Sequence, residues 1–156
     1  PCEDSVGFMD RDCPPAQKIR YYSTLTLPLL DRIDIHVEIP KVKFQDMISE
    51  GEEESSSAIR ERVCKAREIQ WKRFKGRKIF CNSQMGPREL KKFCKLDSKS
   101  LDLMEMALQR YGMSARAFDR ILKVARTIAD LEERENIEVT HISEAIQYRI
   151  LDKGRL

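Results

Sequence analysis

The sequence predicts a mostly α-helical protein, a helical bundle preceded by a piece of an α/β domain, and three observations carry that expectation. The run Ile33-Asp34-Ile35-His36-Val37-Glu38-Ile39 alternates apolar with polar residues, which is the period of a strand with one apolar face, and Pro40 stops it. The stretch Ser49–Ser57 is acidic, serine-rich and devoid of apolar residues. From Ser57 onward apolar residues recur every three or four positions in successive segments separated by Pro, Gly and capping residues. The expected division is an α/β fragment over 1–44, an acidic hinge over 45–56 and a helical domain over 57–156.

Composition sets limits on function. The chain has 156 residues, 41% of them hydrophobic and 35% charged, with a net charge of +3. That is enough apolar material for a core, and a charge that permits an anionic partner without requiring one. No apolar run approaches the ~18 residues of a membrane span, and no signal segment opens the chain, so no membrane partner is expected. Phosphate-loop, dinucleotide-binding, zinc-protease and hydrolase-elbow motifs are all absent, and the two histidines lie in unrelated segments. Taken alone, the chain is not expected to catalyse a reaction. Its start at Pro1 without an initiator Met reads as an excised piece of a longer protein, with catalytic parts upstream.

Residues Pro1–Pro15 are turn-rich and read as loop. Cys2 and Cys13 are the only metal-ligand types there, half of the four that a structural zinc site takes, so zinc is not predicted. Five widely spaced cysteines make a poor disulfide framework and point to a reducing cytosol; Cys64 and Cys94 read as small core residues. Ala16–Ser23 fits a short helix and Phe44–Ile48 a helical turn. Within the strand, His36 is expected to be half exposed. Asp31 and Arg32 stand just before it, where either a turn ion pair or a functional role fits.

In the first helix of the bundle Ile59, Val63, Ala66, Ile69 and Phe74 make the apolar stripe, and Trp71 is expected in the core. Nine bases between Arg60 and Lys78 face only Glu61 and Glu68. That asymmetry suits either the wet side of a helix or contact with nucleic acid phosphates, for which Arg60, Lys65, Lys72 and Arg73 are the candidates. Gly76–Gly86 is a connection. Pro87 suits a first helical turn, with Leu90 and Phe93 inward. Asp97 caps a third helix whose Leu101, Met104, Leu108 and Tyr111 face inward, and Gly112 stops it. Ser114 caps the most amphipathic segment, Ser114–Glu133, whose wet face carries Arg116, Arg120, Lys123, Arg126 and Asp130. Asp119 with Lys123 and Arg126 with Asp130 stand at ion-pairing spacing. Arg116 and Arg120 have no acid at that spacing on their N-terminal side, so they are either solvated or aimed at an anion. Thr140 caps a last helix with Ile142, Ala145, Ile146 and Arg149 inward.

The segments LPLLDRIDIHVEIP and SARAFDRILKVARTIADLEE resemble the C-terminal part of the bacterial magnesium-chelatase-like AAA+ ATPases of the YifB/ComM type. SSSAIRERVCKAREIQWKRF, CNSQMGPRELKKFC and HISEAIQYR extend the resemblance over most of residues 14–152, in the family's order. The resemblance implies an AAA+ helical lid behind the end of an α/β P-loop core, working in a hexameric ring of identical subunits with ATP and Mg2+ bound between neighbours. It implies that Arg32 is the arginine finger reaching the neighbour's γ-phosphate, that Asp31 orients it, and that Arg116 is the sensor-2 arginine. An arginine suits both roles because its planar, permanently charged fork takes phosphate oxygens in pairs. It further implies a cytoplasmic DNA helicase promoting branch migration in natural transformation. The alternatives are a chelatase motor acting on a protein–porphyrin partner, and a helical nucleic-acid-binding module without nucleotide chemistry. The chain departs from the family in its cysteine loop: Pro1-Cys2-Glu3-Asp4 and Cys13-Pro14-Pro15 each keep one cysteine where the family has two. It departs again in Thr24-Leu25-Thr26-Leu27-Pro28, which lacks the family's basic residue and glycine.

Overall fold

The computed structural model describes residues 32–37, 39, 41, 42, 48 and 54–149. Among the described residues five helices make up the bundle, α1 (Ser56–Arg73), α2 (Pro87–Phe93), α3 (Ser98–Tyr111), α4 (Ala115–Leu131) and α5 (Val139–Gln147), with a 3-10 turn at Asn82–Gln84. The mostly helical architecture agrees with the sequence. The expected helix at 16–23 and most of the 1–44 fragment and the acidic hinge lie outside the described residues. None of the described helices is long and apolar enough to cross a membrane.

The helix ends follow side-chain chemistry. Ser55, Asp97 and Ser114 each accept the backbone N–H three residues on, at 3.3, 2.8 and 3.3 Å, which satisfies one orphan donor per helix. Gly112 ends α3 in the left-handed region at φ +56°, where a Cβ would be strained. Pro87 occupies the first turn of α2, and Glu89 reaches back to the Gly86 N–H at 3.1 Å. The start of α5 differs from expectation. Its cap is Glu138, not Thr140: the Glu138 N–H donates to His141 Nδ1 at 2.9 Å, and His141 Nε2 meets Glu132 at 3.1 Å. A buried histidine supplies there the acceptor for the cap residue's own N–H that a third-position Glu or Gln usually provides.

Helix α4 is the hub. It packs on α1, α2, α5 and the 3-10 turn, and α3 joins through α5. Ile121, Leu122, Ala125 and Ile128 of α4 meet Leu90 of α2, Met104 of α3 and Ile142 and Ile146 of α5 in one core. Each such large side chain contributes about 1.5–3 kcal/mol when fully withdrawn from water. Cys94 is buried there as expected, and burial pushes its thiol up to about 11. Three expectations fail on the outer helices. Cys64 is exposed, Leu101 yields the inward face of α3 to Ser100, Met104 and Ala107, and Ile59, Val63 and Trp71 of α1 face water.

The reason α1 turns as it does is polar. Gln70 and Arg73 lie on its inner side with Ala66 and Phe74. Gln70 Oε1 accepts the Asn82 N–H at 3.1 Å. Arg73 closes both arms of its guanidinium on Asp130, one of them at 2.6 Å, and also donates to Asn82 at 3.0 Å. Asn82 Nδ2 donates to the same carboxylate at 2.8 Å, and Arg126 Nε lies 3.2 Å from it. The Arg126–Asp130 pair thus forms as its spacing predicts, but inside the protein: the two residues are 2% and 0% exposed. Arg126 spends its remaining arms on the carbonyls of Arg134 and Glu135, at 2.6 and 2.7 Å. Trp71 lies one residue, hence about 100°, from Gln70 on the helix circumference, and these bonds rotate it outward.

Removing one side of a buried charge cluster strands the other. Asp130→Ala is expected to cost about 3–5 kcal/mol in urea unfolding, because two guanidinium groups then lack their counter-charge. A loss below about 1 kcal/mol would contradict the network. Cysteine mapping by alkylation of the native chain at pH 8 is expected to modify exposed Cys64 quickly and Cys94 only after denaturation, since a thiol titrating near 11 holds almost no thiolate there.

Candidate functional site

The alternating segment takes an unexpected pose. The exposed residues are Ile33, Ile35, Val37 and Ile39, and the buried one is His36, at 6%. Instead of a strand, the described residues show one isolated parallel bridge between His36 and Arg149. The His36 N–H donates to the Tyr148 carbonyl at 2.7 Å, and Arg149 donates to the carbonyl of Ile33. Backbone pairing with the end of α5 fixes which side of the segment turns inward. Arg149, expected on the inner face of the last helix, is buried just beyond the end of α5, where it holds this segment. A second tie is the ion pair between Asp34 and Arg120 of α4. Arg120 is thereby committed, which resolves one of the two unpaired arginines read from the sequence.

Arg116 and Arg32 are different. Arg116 is exposed in the first turn of α4, one turn before Arg120, and has no ion pair or hydrogen bond among the described residues. It stands at the positive end of the most central helix, where backbone N–H groups add to its attraction for anions. Arg32 is exposed in the turn that leads into the clamped segment, two residues before Asp34, and likewise has no partner among the described residues. Asp31, Cys2 and Cys13 lie outside the described residues.

The basic candidates of α1 divide. Arg60 and Lys72 are exposed without an ion pair among the described residues. Lys65 bonds Glu61 at 3.1 Å and approaches Glu133 at 4.0 Å; the Glu61 hydrogen bond holds its ammonium above the ordinary lysine range. Arg73 is corrected: its fork is closed on Asp130 beneath the surface, so it does not offer a phosphate contact. The Asp34–Arg120 pair and the Arg149 tie were not foreseen. Partners 86 and 116 residues apart leave no trace in local spacing.

Comparison with known proteins gives two family matches: magnesium chelatase, subunit ChlI, over residues 1–47, and its C-terminal region over residues 53–149. The chain is 41% identical over 138 residues to the competence protein ComM of Haemophilus influenzae, covering 88% of this chain and 26% of the relative. It is 40% identical over 144 residues to YifB of Escherichia coli and 39% over 144 residues to YifB of Salmonella typhimurium, each covering 90% of this chain and 27% of the relative. The chain thus spans about a quarter of the length of the curated relatives it matches. It belongs to the magnesium-chelatase-like family that includes ComM and YifB.

Proposed function

We propose that this chain is the C-terminal working part of an ATP-hydrolysing ring that remodels DNA, contributing an arginine finger and a sensor-2 arginine. The observation that supports this is selective commitment. Of the three arginines of α4, Arg120 and Arg126 are tied to carboxylates or carbonyls, whereas Arg116, like Arg32 in the turn before Asp34, is exposed and unengaged among the described residues. Uncommitted, permanently charged forks are what the phosphate oxygens of a nucleoside triphosphate need from this part of the protein. When bound, that nucleotide supplies a phosphoryl group whose transfer to water releases the energy for movement.

Each arginine has its own task in this proposal. Arg32 reaches out of its subunit and neutralises charge on the phosphoryl group held by a neighbour. Arg116 holds a phosphate oxygen of the nucleotide on its own subunit, with the start of α4 behind it. Asp34 and Arg120 position rather than bind: their ion pair ties the Arg32 segment to the helix that carries Arg116, so a displacement at either arginine loads the other. The ring is built of identical copies, because a finger that acts outside its own subunit needs one. DNA is favoured as the remodelled partner by the similarity to a protein named for competence. The second reading, a motor that drives metal insertion into a porphyrin through a protein partner, is favoured by the chelatase subunit over residues 53–149.

In the full-length protein, Arg32→Ala is expected to lower ATP turnover about a thousandfold with an unchanged melting temperature, and Arg32→Lys is expected not to restore it. Arg116→Ala is expected to weaken nucleotide binding and turnover together. Wild-type turnover in both alanine variants would remove the ATPase roles. Single-stranded or forked DNA is expected to raise the turnover; no response to either, with a response to a porphyrin-bearing protein, would transfer the proposal to the second reading.

A further inference from the structure

The end of α1 and the turn after it, residues 71–80, sort their side chains by direction. Phe74 is buried and Ile79 partly so, and both pack into the core. Arg73 turns inward to Asp130, and Arg77 meets Glu89 at 3.4 Å and lies over the Phe93 ring. The turn is held by the Arg77 N–H donating to the Phe74 carbonyl at 2.9 Å and by Gly76 at φ +78°. What is left outside is of two chemical types, aromatic and cationic. Trp71 and Phe80 are each 60% exposed. Lys72, Lys75 and Lys78 are exposed and have no ion pair among the described residues. Both arginines of the stretch are committed and all three lysines are not.

An exposed aromatic side chain forgoes hydrophobic stabilisation, and Trp71 and Phe80, two within ten residues, offer apolar ring faces to a partner. The occupant is set by charge. Three unmatched ammonium groups repel a basic protein surface and attract a polyanion. Aromatic faces between flexible cations suit bases whose π-faces are free, which a single strand offers and a duplex conceals. We infer that residues 71–80 form a contact surface for single-stranded nucleic acid, on which Trp71 and Phe80 stack against bases while Lys72, Lys75 and Lys78 neutralise backbone phosphates. This deepens the DNA proposal above and rests on it: it supplies the strand with a path over the helical bundle, away from the two nucleotide-facing arginines in the sequence.

Trp71 is the only tryptophan of the 156 residues, so the surface carries its own reporter. Titration of the full chain with an oligothymidylate, followed by tryptophan fluorescence, is expected to quench the emission; the same titration with blunt duplex is expected to leave it almost unchanged. Trp71→Ala, followed by anisotropy of a labelled oligonucleotide, is expected to weaken binding about tenfold. Three phosphate contacts on a single strand predict a slope of log affinity against log salt near −2, and Lys72→Ala with Lys75→Ala and Lys78→Ala is expected to bring it near zero. All four side chains are exposed, so unchanged melting temperatures separate lost contact from lost fold. An unquenched tryptophan at saturating oligonucleotide, equal quenching by duplex, or a slope unaltered in the triple variant would each overturn the inference. If DNA stimulates ATP turnover while Trp71→Ala binds the oligonucleotide like the wild type, this surface is wrong and the DNA proposal stands. If DNA changes neither turnover nor fluorescence, both fall.

Discussion

Asp130 sits with no solvent exposure at the point where α1, the 3-10 turn and α4 meet, and it accepts from Arg73 and Asn82 while Arg126 lies beside it. A carboxylate in that position is tolerable only if its charge is met and its oxygens are bonded. Two guanidinium groups and a primary amide do this, and each brings a different stretch of chain with it. The rotation of α1, the seat of the Asn82 turn and the burial of the outer half of α4 are therefore one arrangement. Arg126 extends it by holding the carbonyls of residues 134 and 135, which fixes the chain as it leaves α4 for α5.

That arrangement decides what faces water. Because polar bonds set the roll of α1, its apolar residues Ile59, Val63 and Trp71 end outside while Gln70 and Arg73 end inside. The same inversion holds for the segment before the bundle, where His36 is inward and the isoleucines outward. In both places backbone or charged partners with directional demands outweigh the non-directional preference of a methyl group for the interior. The consequence for function is a partition of the arginines. Those near the network are consumed by structure, and those at the start of α4 and in the turn before Asp34 are exposed and without an ion pair among the described residues.

Helix α4 joins these two populations. Its inner side builds the core, its far end carries the charge cluster, its second turn holds the Asp34 clamp through Arg120, and its first turn presents Arg116. A rigid helix fixed at its far end and second turn makes a stiff mount for an arginine in its first turn. The clamp on Asp34, together with the pairing of His36 to Tyr148, holds the chain just after Arg32 against the same bundle. Both arginines are thereby mounted on one framework.

Much of this was legible in the residues themselves. The amphipathic period of α4, the hydroxyl and carboxylate caps at Ser114 and Asp97, the stop at Gly112 and the first-turn Pro87 are local effects, each settled by interactions within about four residues. The family followed from motifs such as the LLDRID segment, which carry their information in order and spacing. The sequence could also single out Arg116, with Arg120, for having no acid one turn before it, while Arg32 was nominated by the resemblance alone. It could not tell that Arg120 has an acid 86 residues away, that Asp130 is buried, that His141 caps α5 or that Trp71 is exposed. Those outcomes depend on partners brought together only when the chain closes. Hydrophobic period identifies which face of a helix is apolar, whereas the polar bonds of the assembled bundle decide which face is actually inside.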